Sequence, residues 1–115
     1  MSYLLLITEP TGQRAERGLE AGHAVYAQML DFAERLQKQG VLRAVESLTS
    51  DAMRVQVRAG RTRLVDGPFT EAKELIGGFF LLDVATREEA LEIAAQCPAA
   101  EWATVEVRET GPCYA

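Results

Sequence analysis

The 115-residue chain has one histidine and two cysteines, with no Cys-x-x-Cys pair. A tetrahedral zinc site would need Cys97, Cys113, His23 and a carboxylate to converge from distant parts of the chain, so no metal is expected. Basic residues are also few: 12 Lys and Arg stand against 17 Asp and Glu, a net charge of −5. Non-specific nucleic-acid binding rests on clustered cations, so a direct nucleic-acid role is disfavoured beyond a local basic patch. Long apolar runs are missing too. The run Leu4-Leu5-Leu6-Ile7 lacks a basic leader and has Glu9 close behind it, which does not describe a signal peptide. The longest run elsewhere, Ile76 to Leu82, is far too short to span a bilayer. Two unpaired-looking cysteines and no export signal point to a reducing cytoplasm. No G-x-G-x-x-G or G-K-[ST] loop exists, and Ser2, Ser47 and Ser50 have no nucleophile-elbow context.

What is present is enough apolar residue, 48%, for one two-layer domain with a radius of gyration of roughly 13 Å. Ser2 to Thr8 reads as a strand with apolar residues facing both ways, hence central in its sheet. Gly12 to Gly22 is polar and reads as a loop. Val25, Met29, Phe32 and Leu36 then recur at helical spacing up to Gly40, with Gln28, Asp31, Arg35 and Lys38 opposite. Val41 to Leu48 reads as a strand. Met53, Val55 and Val57 alternate with Arg54, Gln56 and Arg58, and Ala59-Gly60 turns into Arg61 to Val65, which predicts a hairpin arm. Thr70 to Glu74 allows at most a turn or two of helix. Ile76 to Val84 is a second strand apolar on both faces, and its Gly77-Gly78 pair predicts close backbone approach or a bulge. Thr86-x-x-Glu89 is a capping box opening a helix that Pro98 ends, and Trp102 to Arg108 alternates as a last strand.

This order predicts an α+β fold: a ferredoxin-like antiparallel sheet with two helices on one face and a hairpin insert. Two helices cover only one face. The other would expose a contiguous apolar patch, which soluble monomers rarely tolerate, so a homodimer packing sheet on sheet is expected.

The segment Asp66-Gly67-Pro68-Phe69-Thr70-Glu71-Ala72-Lys73-Glu74, followed by Gly77-Gly78-Phe79-Phe80-Leu81-Leu82-Asp83-Val84, resembles the DGPF-domain branch of the YCII-related family. Tyr3-Leu4-Leu5-Leu6-Ile7, Glu88-Glu89-Ala90-Leu91, Cys97-Pro98-Ala99-Ala100 and Val105-Glu106-Val107-Arg108 extend the match through nearly the whole chain. The resemblance implies a dimeric α+β barrel. It also implies a link to extracytoplasmic-function sigma factors, beside which such proteins are encoded. YCII-like relatives have a proposed His and Asp pair in a cleft. Their histidine falls near Met29, and the one His here lies six residues earlier, so that pair does not carry over.

The candidate residues each have two readings. Asp66, at the end of the arm, is a general base or ligand acceptor, or the carboxylate of an Asx turn. Glu71, Lys73 and Glu74 are a cleft cluster, with Glu71 and Lys73 as ligand contacts, or a solvated turn. Arg54 is an anion contact, whereas Arg61 and Arg63 protect an exposed edge. His23, where the positive end of the helix macrodipole favours a neutral imidazole, is an auxiliary base or a solvated side chain. Phe69, Phe79 and Phe80 line an apolar pocket or, as is usual for Phe in a central strand, belong to the core. Cys97, on an apolar helix face, is inert. The leading functional expectation is a small-molecule-binding homodimer with acid/base chemistry and no cofactor. The rival is a non-catalytic regulatory module that partners a sigma factor.

Overall fold

The computed structural model describes residues 2–67, 69 and 72–114. Strand β1 (Tyr3–Pro10) is followed by two helices, α1 (Gln13–Arg17) and α2 (Leu19–Lys38). Strands β2 (Leu42–Ser47), β3 (Met53–Arg58), β4 (Arg61–Asp66) and β5 (Glu74–Leu82) come next. Helix α3 (Arg87–Gln96), a 3-10 turn (Pro98–Glu101) and β6 (Thr104–Glu109) complete the described chain. The main sheet has the order β2-β5-β1-β6 with every pairing antiparallel, and β3 and β4 form a separate two-stranded ribbon. The fold is mixed α+β with an open sheet; among the described residues the strands do not close into a barrel.

The two strands that are apolar on both faces, β1 and β5, occupy the centre. Alternation sends Tyr3, Leu5 and Ile7 of β1 and Phe80 and Leu82 of β5 to one face, where they are buried against Phe32 and Leu36 of α2 and Ala90 and Ala94 of α3. Phe32 meets Phe80 edge to face with centroids 5.4 Å apart, a geometry the ring quadrupoles favour. The opposite face carries Leu4, Leu6, Phe79 and Leu81, all only half-buried. Thr86 caps α3 by accepting a hydrogen bond from the Glu89 N–H at 3.2 Å, as its capping-box position predicts.

Gly77 and Gly78 satisfy both halves of the expectation placed on them. Ile7 faces Gly78 and Thr8 faces Ile76, so Gly77 is the extra residue of a bulge. A Cβ on Gly78 would stand 2.8 Å from the Glu46 carbonyl oxygen, which is why β2 can lie so close only to glycine.

One local expectation is corrected. Gly12 to Gly22 is not a loop, because α1 and the first turn of α2 occupy it. Gln13 to Arg17 has helix-forming residues but no apolar stripe to announce a helix. Its ends are set by Gly12 and Gly18, which take left-handed φ values of 87° and 85°. Glu74 begins β5, and Ala72 and Lys73 are not helical, so no helix reaches that strand; Thr70 and Glu71 lie outside the described residues. The β3–β4 arm forms as expected, with Ala59 and Gly60 both at positive φ (52° and 76°), the requirement of a two-residue hairpin turn.

Candidate functional site

Strand β1 continues past Thr8, and this extension places Glu9 on the same face as Tyr3, Leu5 and Ile7. A carboxylate is thus directed into the helix-covered side of the sheet. It is met there by Arg14, which α1 presents: Nε donates to Glu9 Oε1 at 2.5 Å and Nη2 to Oε2 at 3.4 Å. The same guanidinium donates to the carbonyls of Leu48 at 2.8 Å and Gly77 at 3.4 Å, tying α1 to the segments after β2 and within β5. The side chain of Glu9 is 4% exposed and that of Arg14 is 37% exposed. The pair is therefore an enclosed anion held by a cation that still touches solvent.

Beside this pair lies a groove of about 720 Å³ between the first half of α2 and the β2–β5 side of the sheet. Val25 and Met29, the N-terminal half of the helical stripe, line it, and Met29 packs against the core as well. Leu19, Tyr26, Leu30 and Leu48 are exposed apolar residues on its walls. Glu9, Arg14, His23 and Trp102 supply polar groups. Arg17 stacks on the Trp102 ring at 4.5 Å, and Gln13 Nε2 donates to the Trp102 carbonyl at 2.5 Å. The buried Trp102 Nε1 and Gln13 Oε1 find no hydrogen-bond partner among the described residues.

Of the residues singled out in the sequence, His23 lies on the groove, in the second turn of α2. Arg54 and Phe69 meet elsewhere, at the base of the arm, where Asp66 ends the ladder on the other face of the ribbon from Arg54. Asp66 ends β4 opposite Met53, and the Arg54 guanidinium sits 3.6 Å from the centre of the Phe69 ring, a cation–π contact. The Gly67 N–H donates to the Ala52 carbonyl at 2.8 Å and closes the base of the arm. Lys73 is exposed just before β5, its carbonyl accepting from the Thr11 N–H at 2.9 Å. Glu71 lies outside the described residues. The groove and the base of the arm are thus two places, and of the residues weighed in the sequence His23, Phe79 and Phe80 line the groove. Glu9 and Arg14 were missed. The period-two pattern of β1 carries a signal for Glu9 once the strand is extended to Pro10.

Among the described residues no three His, Cys, Asp or Glu side chains are placed to hold a metal ion. No helix among them is long and apolar enough to cross a membrane. Cys97 is buried with its Sγ 4.0 Å from Met29 Sδ; burial pushes its thiol above the ordinary value of 9.0, opposed by the backbone groups of Ala99 and Ala100. Because the folded state retains a proton that the unfolded chain would release, this contribution to stability is whole below pH 9 and is lost as pH rises above it. In the native protein at pH 8, iodoacetamide should modify exposed Cys113 and leave Cys97 unmodified until denaturant is added. Equal labelling of both thiols in mass spectra of the native protein would contradict the burial of Cys97.

The family model of the YCII-related domain matches residues 1–112. The chain is also similar to an uncharacterized protein of Rhizobium meliloti (strain 1021), 46% identical over 46 residues. That stretch is 40% of this chain and 37% of the relative, so the chain spans well under half of the curated relative it matches.

Proposed function

The chain belongs to the YCII-related domain family, and on that footing we propose that it is a homodimeric small-molecule-binding protein of the DGPF branch whose ligand occupies the α2–sheet groove. The observation that carries this reading is the groove itself. Its volume, about 720 Å³, falls in the range of small-molecule sites, and its apolar walls converge on a few polar groups. A ligand matching it is mostly apolar, with a polar end directed toward Arg14 and Glu9. Proton transfer without a cofactor would fall to His23, the imidazole on the groove wall. The Asp66-Gly67-Pro68-Phe69 signature supports the branch. In this reading Asp66, Arg54, Phe69 and Lys73 shape the arm and its junction instead of contacting the ligand. The half-buried face of Leu4, Leu6, Phe79 and Leu81 supports the homodimer, since a second sheet would cover it.

Gly22 gives a direct test, because it lines the groove and a Cβ built on it meets nothing within 4 Å. The apolar fluorophore 1-anilinonaphthalene-8-sulfonate should bind the wild-type protein and brighten. Gly22→Phe, whose ring enters the groove, should weaken that binding about tenfold or more. Unchanged affinity in a folded Gly22→Phe protein would remove the groove as the site. The rival reading, a regulatory module for a sigma factor, draws its support from the exposed arm. Native mass spectra of protein isolated from its host separate the two: a bound metabolite favours the groove, and a stoichiometric sigma factor without one favours the rival.

A further inference from the structure

Besides His23, the charged side chains lining the groove are Glu9, Arg14, Arg17 and Glu46. Glu9 and Arg14 are committed to one another, and the Arg14 guanidinium also serves the carbonyls of Leu48 and Gly77. Glu46 stands exposed on the edge strand β2, where solvent screens its charge. Arg17 is different. It is half-buried, yet it makes no ion pair and no side-chain hydrogen bond among the described residues. Its guanidinium lies over the Trp102 ring, 4.5 Å from the centroid, a contact that holds the group in place and engages none of its N–H donors.

Arg17 follows Arg14 by one turn of α1, and both line the groove from that helix. An anion entering there meets one guanidinium already neutralised by Glu9 and one whose charge is unspent. Leu19, Tyr26 and Leu30 of α2 continue the lining as exposed apolar side chains. A guanidinium with free donors beside an apolar wall suits a ligand with an apolar body and a planar anion at one end, because a carboxylate accepts two parallel N–H bonds from the fork. A single unspent positive charge also matches a monoanion. A phosphate monoester carries about two negative charges at neutral pH, and the second would meet Glu9 and Glu46 without a counter-charge.

We propose that the ligand of the groove is an apolar monocarboxylate whose carboxylate is gripped by Arg17. The inference rests on the groove reading above and adds the chemical class of the ligand to it. Displacement of the neutral fluorophore N-phenyl-1-naphthylamine from the full chain tests it, with 1-naphthoate, its neutral isostere 1-naphthamide and 1-naphthyl phosphate as competitors at neutral pH. From the wild type, 1-naphthoate should displace the fluorophore at a concentration about tenfold lower than either of the other two. Arg17→Met should weaken 1-naphthoate by about that factor and leave the fluorophore and 1-naphthamide unchanged, and Arg17→Lys should restore part of the preference. Equal displacement by 1-naphthoate and 1-naphthamide overturns the carboxylate while the groove stands, and that comparison needs only the wild-type protein. Stronger displacement by 1-naphthyl phosphate overturns the monoanion, and a preference that survives in Arg17→Met overturns Arg17 as its source. A fluorophore that fails to bind the wild type, or binds Gly22→Phe equally well, removes the groove reading itself.

Discussion

Replacing Gly77 with alanine is expected to destabilise the protein by about 2–3 kcal/mol and to lower its melting temperature by roughly 10 °C. The added Cβ would run into Glu9 Oε2 and stand 2.9 Å from Arg14 Nη2. Neither neighbour can yield cheaply. The Glu9 carboxylate is enclosed, and Arg14 is held at once by Glu9, Leu48 and Gly77. Relief would require the bulge to flatten, which would change the register between β1 and β5. The informative control is Gly22→Ala. Gly22 sits inside α2 in open space, so alanine there should stabilise the helix by about 0.5–1 kcal/mol. Thermal unfolding followed by circular dichroism reads both. A Gly77→Ala protein as stable as wild type would mean that Glu9 is not packed against β5.

Arg14→Met should cost about 2–4 kcal/mol, because it leaves the Glu9 carboxylate without its cation. Loss of one partner from a fully buried pair typically costs about 3–5 kcal/mol. The lower figure follows from the solvent that Arg14 already meets at 37% exposure, which screens part of the attraction. Adding Glu9→Gln to Arg14→Met should recover part of the loss, since a neutral amide is cheaper to enclose than an unpaired charge. A double-mutant cycle from urea unfolding measures this coupling. Additive losses would show that Arg14 acts through its carbonyl bonds to Leu48 and Gly77 alone. The same variant should loosen α1, because the short helix depends on such side-chain ties more than on its own hydrogen bonds.

The elements that could be read from the sequence are those whose pattern reports burial. Leu4 to Ile7 and Phe79 to Leu82 are apolar on both faces, and they lie at the sheet's centre. Met53, Val55 and Val57 alternate with polar residues and form a hairpin strand. Helix α1 was illegible for the opposite reason: Gln13, Arg14, Ala15, Glu16 and Arg17 bury no apolar stripe, and their conformation is set by two glycines and by contacts with Glu9 and Trp102. The site was only partly legible. His23 drew attention as the lone histidine, but Glu9 stands near the end of an apolar strand and Arg14 in a polar stretch. Their partnership exists only once α1 folds back over β1. The groove was hidden in a similar way, since Val25 and Met29 carry the same spacing as Phe32 and Leu36 and differ only in what lies opposite them.

The pairing of β1 with β6 joins Tyr3 to Glu109, near the two extremes of the chain. Such a contact closes a loop of about a hundred residues, and its entropy must be met before the pairing yields any stabilisation. During synthesis β1 can first pair only with β5, and its other edge stays open until the last strand has emerged. A nascent chain halted before Thr104 therefore displays an unpaired, Leu-rich edge to its neighbours, which makes its final strand the guard against aggregation as well as the last piece of the sheet.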